Sequence, residues 1–485
     1  MSLDVIVTKF GGHCMRDSAM TQKSVEFLLA DSKRRVAVVS GPKGLTDLYI
    51  TAAQQRIVKG SVDGDLYDKI MGRWQEICSR LELKGEYDSI KREFDKILES
   101  YGARSRNLSD LRARRFIDNV ARLGEYFEAK YVFTPFLEKL GKKALFLDPK
   151  DLIVGTDVPG DASIIQELTT EKVKENILDK DLLDSYDVLV MPGYYCYSKE
   201  GHLVTLPRGG SDTTGAAVAH ALNASIYENV TNNRVRRAQP EIFEDAPILD
   251  RLTYSEGTEL TFMGFGILTP EAIEPCQERT IPIHVIDIDN PHEATVILRD
   301  RRPDKFDITG VAYKPGFGDI TIRTGLRHGE RISSIGDYIR EVEHGGSSLN
   351  GKFPVVYPIP SVSGISFVVE GRYFTDENVH NAVRYLRESL GLHDKDIEVS
   401  HNTSLISIVG QDMQERRGIR ARATGAIARA GVSITHGTGG ASDNSFILGV
   451  RDYQNPGKAI RAATAVYREF FVDPDVGRRL DLLQS

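Results

Sequence analysis

Leu206-Pro-Arg-Gly-Gly-Ser-Asp-Thr-Thr-Gly215 sets two glycines, Gly209 and Gly210, between an arginine and a run of hydroxyl and carboxylate side chains. Glycines in such a turn let the backbone come close to an anion. Ser211 or Asp212 is placed to cap the helix predicted over Thr214–Leu222. The start of that helix would turn free N–H groups and a positive dipole end toward a phosphate or carboxylate. Arg208 adds a planar fork that matches a carboxylate with two bonds. A surface turn ahead of a capped helix would explain the decapeptide equally well, so the decision falls to the chain's first residues.

Asp4 to Lys9 is a short β-branched run that stops at Lys9-Phe-Gly-Gly12. A strand ending in a lysine and two glycines, followed by a helix, is a phosphate-handling geometry in outline. Arg34 to Ser40 reads as a second buried strand, closed by Gly41-Pro-Lys-Gly44, and Thr46 opens the next helix. Strand, glycine turn and helix recur, which predicts a doubly wound α/β sheet with ligands at the strand C-termini. Ala144–Leu147, Val188–Met191, Ile226–Val230 and Ile281–Ile286 supply further strands, and Leu252–Ile267 reads as helical. Between Val62 and Tyr131 the pattern is helical and polar, and Arg112-Ala-Arg-Arg115 reads there as a solvated face. Gly124 interrupts a helical run at a cost of about 1 kcal/mol against alanine. A close backbone approach that presents Glu125 would justify it; an ordinary surface glutamate is the plain alternative.

A chain of 485 residues exceeds a single core. Its hydrophobic content of 41% and charged content of 27% are ordinary for a soluble globular protein. A net charge of −7 argues against general nucleic-acid binding. No apolar run is long enough for a transmembrane helix, and Met1-Ser-Leu-Asp-Val-Ile-Val enters a strand rather than a signal peptide. Cys14, Cys78, Cys196 and Cys276 have no metal-like spacing, which fits a reducing cytoplasm.

Near residue 300 the organisation changes. Two segments of about 85 residues share the order strand, helix, strand, strand, helix, the mark of a duplicated βαββαβ unit. The first runs through Asp319–Ile322, a helix near Ile332–Val342, Ile365–Glu370 and Glu377–Leu390. The second runs through Ser404–Val409, Ile419–Ala430, Val432–Thr435, Ser445–Val450 and Pro456–Phe471. Such units leave pairable sheet edges, so a homodimer or higher homo-oligomer is expected.

Taken together, these residues resemble the aspartate kinase family. Lys9-Phe-Gly-Gly12, Val38-Val-Ser-Gly-Pro-Lys-Gly-Leu-Thr46, Leu123-Gly-Glu125 and Pro207-Arg-Gly-Gly-Ser-Asp-Thr-Thr214 are similar to its glycine and substrate motifs. Ile406-Ser-Ile-Val-Gly-Gln-Asp-Met413 and Gly440-Ala-Ser-Asp-Asn-Ser-Phe446 are similar to its last ACT domain. The resemblance implies an amino-acid kinase fold over 1–300, a mostly parallel sheet sandwiched by helices. Two ferredoxin-like ACT domains at 301–395 and 396–485 would follow.

The resemblance further implies transfer of the ATP γ-phosphoryl group to the β-carboxylate of L-aspartate with Mg²⁺, the first step toward lysine, threonine and methionine. Lys9 and Asp212 would be catalytic, with Asp212 orienting Lys9 or the phosphate end. Arg208 would clamp the α-carboxylate and Glu125 accept the ammonium, while Ser40, Thr46 and Ser211 line the pocket. The nucleotide would meet Lys9, Gly11, Gly12, Gly209, Gly210, Asn229, Arg234 and Arg237. An amino-acid effector at the ACT domains is part of the same expectation.

The departures concentrate on the nucleotide side. His13-Cys14 stands where the family has Thr-Ser; loop packing explains the pair better than a metal site. Glu228-Asn-Val230 and Ala238-Gln-Pro-Glu241 replace its Thr-Asp-Val and Ala-Asp-Pro-Arg, and Gly266 stands at its phosphate-binding lysine. Arg234, Arg236 or Arg237 would have to restore the lost charge. Two other readings follow: a kinase for another acidic amino acid, and a catalytically silent ACT-containing sensor of amino acids.

Overall fold

The computed structural model describes residues 3–102, 106–266, 268–300, 306–323, 333, 336–337, 355–361, 363–413, 415–438, 442–452 and 457–472. They form two compact units. The first comprises 1–235, 248–258 and 266–301; the second comprises 236–247, 259–265 and 302–485.

The strands of the first unit are β1 (Leu3–Phe10), β2 (Arg34–Val39), β3 (Ala144–Phe146), β4 (Val154–Gly155), β5 (Val188–Pro192), β6 (Tyr195–Ser198), β7 (Leu203–Thr205), β8 (Ala224–Thr231), β9 (Arg251–Thr253), β10 (Ile283–Asp287) and β11 (Thr295–Leu298). Eight of them make one sheet in the order β3-β5-β2-β1-β8-β10-β11-β9, and β4-β6-β7 make a small second one. Every pairing in the large sheet is parallel except β10 with β11. The order turns back at β1, whose neighbours are β2 on one side and β8 on the other. Ligands in open α/β sheets bind at such a reversal, beyond the strand C-termini. Lys9 and Asn229 end there side by side, in register on β1 and β8.

Helix Gly210–Leu222 packs on β1, β2 and β8. The helical block from Leu45 to Lys139 shares its core with Phe10 and Val39, around Tyr49, Trp74, Phe127 and Phe133. Trp74 donates its Nε1–H to the Tyr49 hydroxyl at 2.7 Å, so the indole is buried without an orphaned donor.

In the second unit β12 (Gly310–Ile322), β13 (Val355–Ser361), β14 (Gly364–Glu370), β15 (Ile397–Val409), β16 (His436–Thr438) and β17 (Ser445–Arg451) form one antiparallel sheet, β13-β14-β12-β15-β17-β16. β12 and β15 are each 13 residues long and run through both halves of it. One end of β12 pairs with Leu405–Val409; the other pairs with β14 and with Ile397–Ser400. Ala238, Ile242 and Ala246 of the 236–247 segment join the core of Val311, Ile406, Val466 and Tyr467.

Some sequence expectations are corrected here. The helix expected over Leu252–Ile267 begins as strand β9 and is helical only over Tyr254–Phe262. Gly264 and Gly266 follow it at φ 91° and 66°, which ends the helix. Val432–Thr435 forms no strand; β16 lies just beyond it. The helix expected near Ile332–Val342 lies, but for residues 333, 336 and 337, outside the described residues.

Candidate active site

Lys9 is 7% exposed and its ammonium forms an ion pair with the Asp212 carboxylate. Asn229 donates from Nδ2 to Oδ1 of the same carboxylate at 3.0 Å. The Tyr227 hydroxyl donates to the Asp212 backbone carbonyl at 2.9 Å. A side chain at Gly215 would meet Tyr227 at 2.7 Å and the Lys9 stem at 3.1 Å, so only glycine lets the helix lie this close to β1 and β8. Sequence reading missed Tyr227 and Gly215, although the glycine stood in the stretch quoted first.

The helix itself starts earlier than expected. Gly209, at φ 87°, is its cap, and Gly210, Ser211 and Asp212 form the first turn. The Asp212 side chain is thereby aimed at Lys9, as one expectation had it, and does not cap the helix, as the other had it. A side chain at Gly209 would strike Thr269 Cγ2 at 2.2 Å, and one at Gly193 would strike Ser211 at 2.6 Å. Arg208 is exposed and forms no hydrogen bond or ion pair among the described residues.

Glu125 is buried at 5% exposure in helix Leu123–Phe127. Burial drives its pKa up to about 7, against the opposing pull of the Gly41 amide. One carboxylate oxygen, Oε2, has no hydrogen-bond partner. A side chain on Gly41 would lie 2.9 Å from the Gly124 carbonyl carbon, so Gly41 is needed for this contact, whereas a Cβ on Gly124 would meet only ordinary van der Waals neighbours. The position of Gly124 lies 3.9 Å from Thr46 Oγ1, counted from where its Cβ would be. Ser40 is buried at the end of β2, its N–H donating to the Phe10 carbonyl at 3.0 Å. Tyr194, in the left-handed region at φ 75°, also feels the Glu125 charge. A tyrosine there is strained, and such strain collects at functional sites. No periodic pattern could have flagged it.

On the nucleotide side the expected groups are differently placed. The Gly11 amide donates to the Val230 carbonyl at 2.9 Å and the Gly210 amide to Pro207 at 2.9 Å, so neither is free for a phosphate. The Gly12 and Gly209 amides donate to no acceptor among the described residues. Arg234 pairs with Asp287, at 3.6 Å, and with Glu293. Arg237 belongs to the second unit, buried with its guanidinium 4.8 Å from the Phe306 ring and donating to the Thr309 carbonyl at 3.1 Å. Its expected place at the triphosphate is corrected accordingly. Glu228 faces away from Asn229 and takes Arg34 Nε at 2.8 Å and the Thr8 hydroxyl at 2.9 Å. The Cys14 thiol is buried, donates to the Val230 carbonyl at 3.4 Å and has its pKa pushed up to about 12, chiefly by burial, so packing accounts for it. All four cysteines are buried and free.

Among the described residues, the one group of three possible metal ligands is Asp157, Glu200 and His202, whose Asp157 is already held by Arg115.

A model of the amino acid kinase family matches residues 4–287. The chain belongs to that family. An ACT domain model matches residues 406–470. Aspartokinase 3 of Bacillus subtilis is 28% identical over 480 residues, covering 96% of this chain and 98% of that protein. Among solved structures, Escherichia coli aspartokinase III in complex with aspartate and ADP superposes with a TM-score of 0.79 at 20% identity, over 96% of this chain and 99% of that one. Clostridium acetobutylicum aspartate kinase superposes at 0.70 with 25% identity, over 95% and 100%.

Proposed function

We infer that this member of the amino acid kinase family is an aspartate kinase, transferring the ATP γ-phosphoryl group to the β-carboxylate of L-aspartate. Two observations support the reading: the buried Glu125 keeps one carboxylate oxygen without a partner, and the exposed Arg208 has no partner among the described residues. An α-amino acid brings one ammonium and one α-carboxylate, the two groups that these side chains lack.

A β-carboxylate oxygen forms the new bond to the γ-phosphorus while the bond to ADP breaks, and no proton need move. Phosphoryl transfer asks for positioning and charge neutralisation. Lys9 neutralises the transferred group, and Asp212, steadied by Asn229 and Tyr227, fixes where its ammonium sits. The Gly12 and Gly209 amides remain as donors to phosphate oxygens. Mg²⁺ typically binds through substrate phosphates and one or two carboxylates, of which Asp212 is the candidate here. It would supply further neutralisation of the phosphate charge.

The reaction would commit aspartate to lysine, threonine and methionine in the cytoplasm. Among the described residues no helix is long and apolar enough to cross a membrane. The C-terminal unit would bind an amino-acid effector and pair the chain into a homodimer or higher homo-oligomer.

Trapping the acyl phosphate with hydroxylamine tests the proposal. ATP with Mg²⁺ and L-aspartate should give the hydroxamate. Product from L-glutamate alone would move the assignment to another acidic acceptor. A protein that binds amino acids yet shows no nucleotide binding at millimolar ATP would be a sensor instead.

A further inference from the structure

A cleft of about 510 Å³ opens in the first unit between helix Glu86–Ser100 and the Leu111–Phe127 region. Arg122 lies at its floor, nine-tenths buried at 9% exposure. Its Nε donates to the Asn119 side-chain oxygen at 3.2 Å, and its guanidinium carbon stands 4.5 Å from the Tyr126 ring and 5.3 Å from the Tyr195 ring. Among the described residues it forms no ion pair, and its two terminal nitrogens donate to nothing. Burying a cation in this way is costly unless a counter-charge and further hydrogen bonds accompany it. Aromatic faces return only part of that cost.

The rest of the cleft has the same sign. Arg92 and Lys96, one turn apart on helix Glu86–Ser100, line its rim, and neither pairs with a carboxylate. Glu93 is the one acid in the lining, and its carboxylate already accepts from the Tyr131 hydroxyl at 2.6 Å. Three cations therefore face one occupied carboxylate. Planar guanidinium groups with free terminal nitrogens match oxyanions by two parallel bonds.

We propose that this cleft is a second anion site, binding the phosphate or carboxylate group of a small metabolite on Arg122, with Arg92 and Lys96 at its rim. It is separate from the pocket around Glu125 and Lys9 and does not depend on the kinase reading. Arg122 stands three residues before Glu125, so an occupant would rest against the same turn of chain.

Calorimetric titration of the full-length protein with inorganic phosphate tests this, with succinate as a parallel arm that separates phosphate from carboxylate recognition. Binding that survives Lys9→Met is expected for at least one of the two probes. The rim variant Arg92→Glu/Lys96→Glu, exposed and far from the core, should weaken it by about tenfold or more through charge reversal. Arg122→Met should do the same, whereas Lys9→Met should leave it unchanged. Binding that disappears in Lys9→Met and survives the rim reversal would place the anion at the kinase site and overturn the proposal. Absence of binding for both probes at tens of millimolar would overturn it too.

Discussion

Glu125 and Arg208 on one side, and Arg234 and Arg237 on the other, differ in what their charges already touch. Glu125 keeps an unpartnered oxygen and Arg208 an unpartnered guanidinium. Arg234 is shared between two carboxylates, and Arg237 is wedged against aromatic rings in the second unit. The amino-acid side thus carries groups waiting for a zwitterion, while the arginines expected at the nucleotide are engaged elsewhere. What remains for the triphosphate is Lys9 and two backbone amides. Satisfied charges make structure and unsatisfied ones invite ligands, and each of the following changes would break or sharpen that division.

The largest effect belongs to Lys9, where both sides meet. Lys9→Met should lower kcat for the hydroxamate reaction by about 10²–10³-fold, the scale on which one preorganised charge stabilises a transition state. It also strands the Asp212 carboxylate, and breaking such a buried pair costs roughly 3–5 kcal/mol of stability. Double substitution with Asp212→Asn should return most of the stability and none of the rate. Recovery of both would mean that Lys9 serves only to hold the fold.

Next comes the zwitterion clamp. Arg208→Lys should be nearly as damaging as Arg208→Ala, each losing about 2–4 kcal/mol in kcat/KM for aspartate, since a point charge cannot replace the fork. Glu125→Gln should also raise KM for aspartate while increasing stability. Folding raises the Glu125 pKa from its ordinary value to about 7, so its ionisation is disfavoured in the free protein. The associated stability is complete below about pH 4.5 and lost as pH climbs toward 7, by up to about 3 kcal/mol. The wild-type kcat/KM for aspartate should fall below pH 7, because the protonated acid cannot take the ammonium. A flat profile from pH 6 to 8 would remove Glu125 from the pocket.

Arg237→Ala should read out as stability alone, about 1–2 kcal/mol or a few degrees in Tm, from lost packing on Phe306 and Phe471. KM for ATP should stay within about twofold, since the Arg237 guanidinium is already taken up by the Phe306 ring and the Thr309 carbonyl. A clear rise in KM for ATP with unchanged Tm would reinstate it as a nucleotide ligand.

What was legible in the sequence follows from locality. β1 and β2 are short β-branched runs closed by glycine loops, and their parallel pairing follows from the helices between them. Lys9 and Asp212 were readable because each stands near a glycine that the geometry needs, Gly12 and Gly210, while Glu125 depends on Gly41, a glycine remote in sequence. Partners chosen through register were not readable. Glu228 and Asn229 are neighbours in sequence, yet one faces Arg34 and the other Asp212, since side chains alternate across a strand. The membership of 236–247 in the second unit is likewise invisible, because Ala238 and Ala246 are small and a single Ile242 sets no periodic core face.

The smallest effect is expected at Gly266, where the family resemblance places a phosphate-binding lysine. Restoring that lysine would tighten ATP if charge were all that mattered. Gly266 has φ 66°, in the left-handed region, and is exposed. A lysine there would cost roughly 1–2 kcal/mol in backbone strain, and its flexible stem would lose further freedom on reaching a phosphate. A single solvent-facing contact returns about 1 kcal/mol or less. Gain and cost nearly cancel, so Gly266→Lys should shift KM for ATP by less than about threefold and lower Tm slightly. Gly266→Asn, whose side chain tolerates the left-handed region, should keep both values close to wild type. If Gly266→Lys instead binds ATP about tenfold or more tightly, the turn is able to adopt the backbone the lysine needs. The glycine would then be a lost contact that the chain has left unreplaced, and the contrast between a waiting acceptor side and an occupied donor side would rest on Arg234 and Arg237.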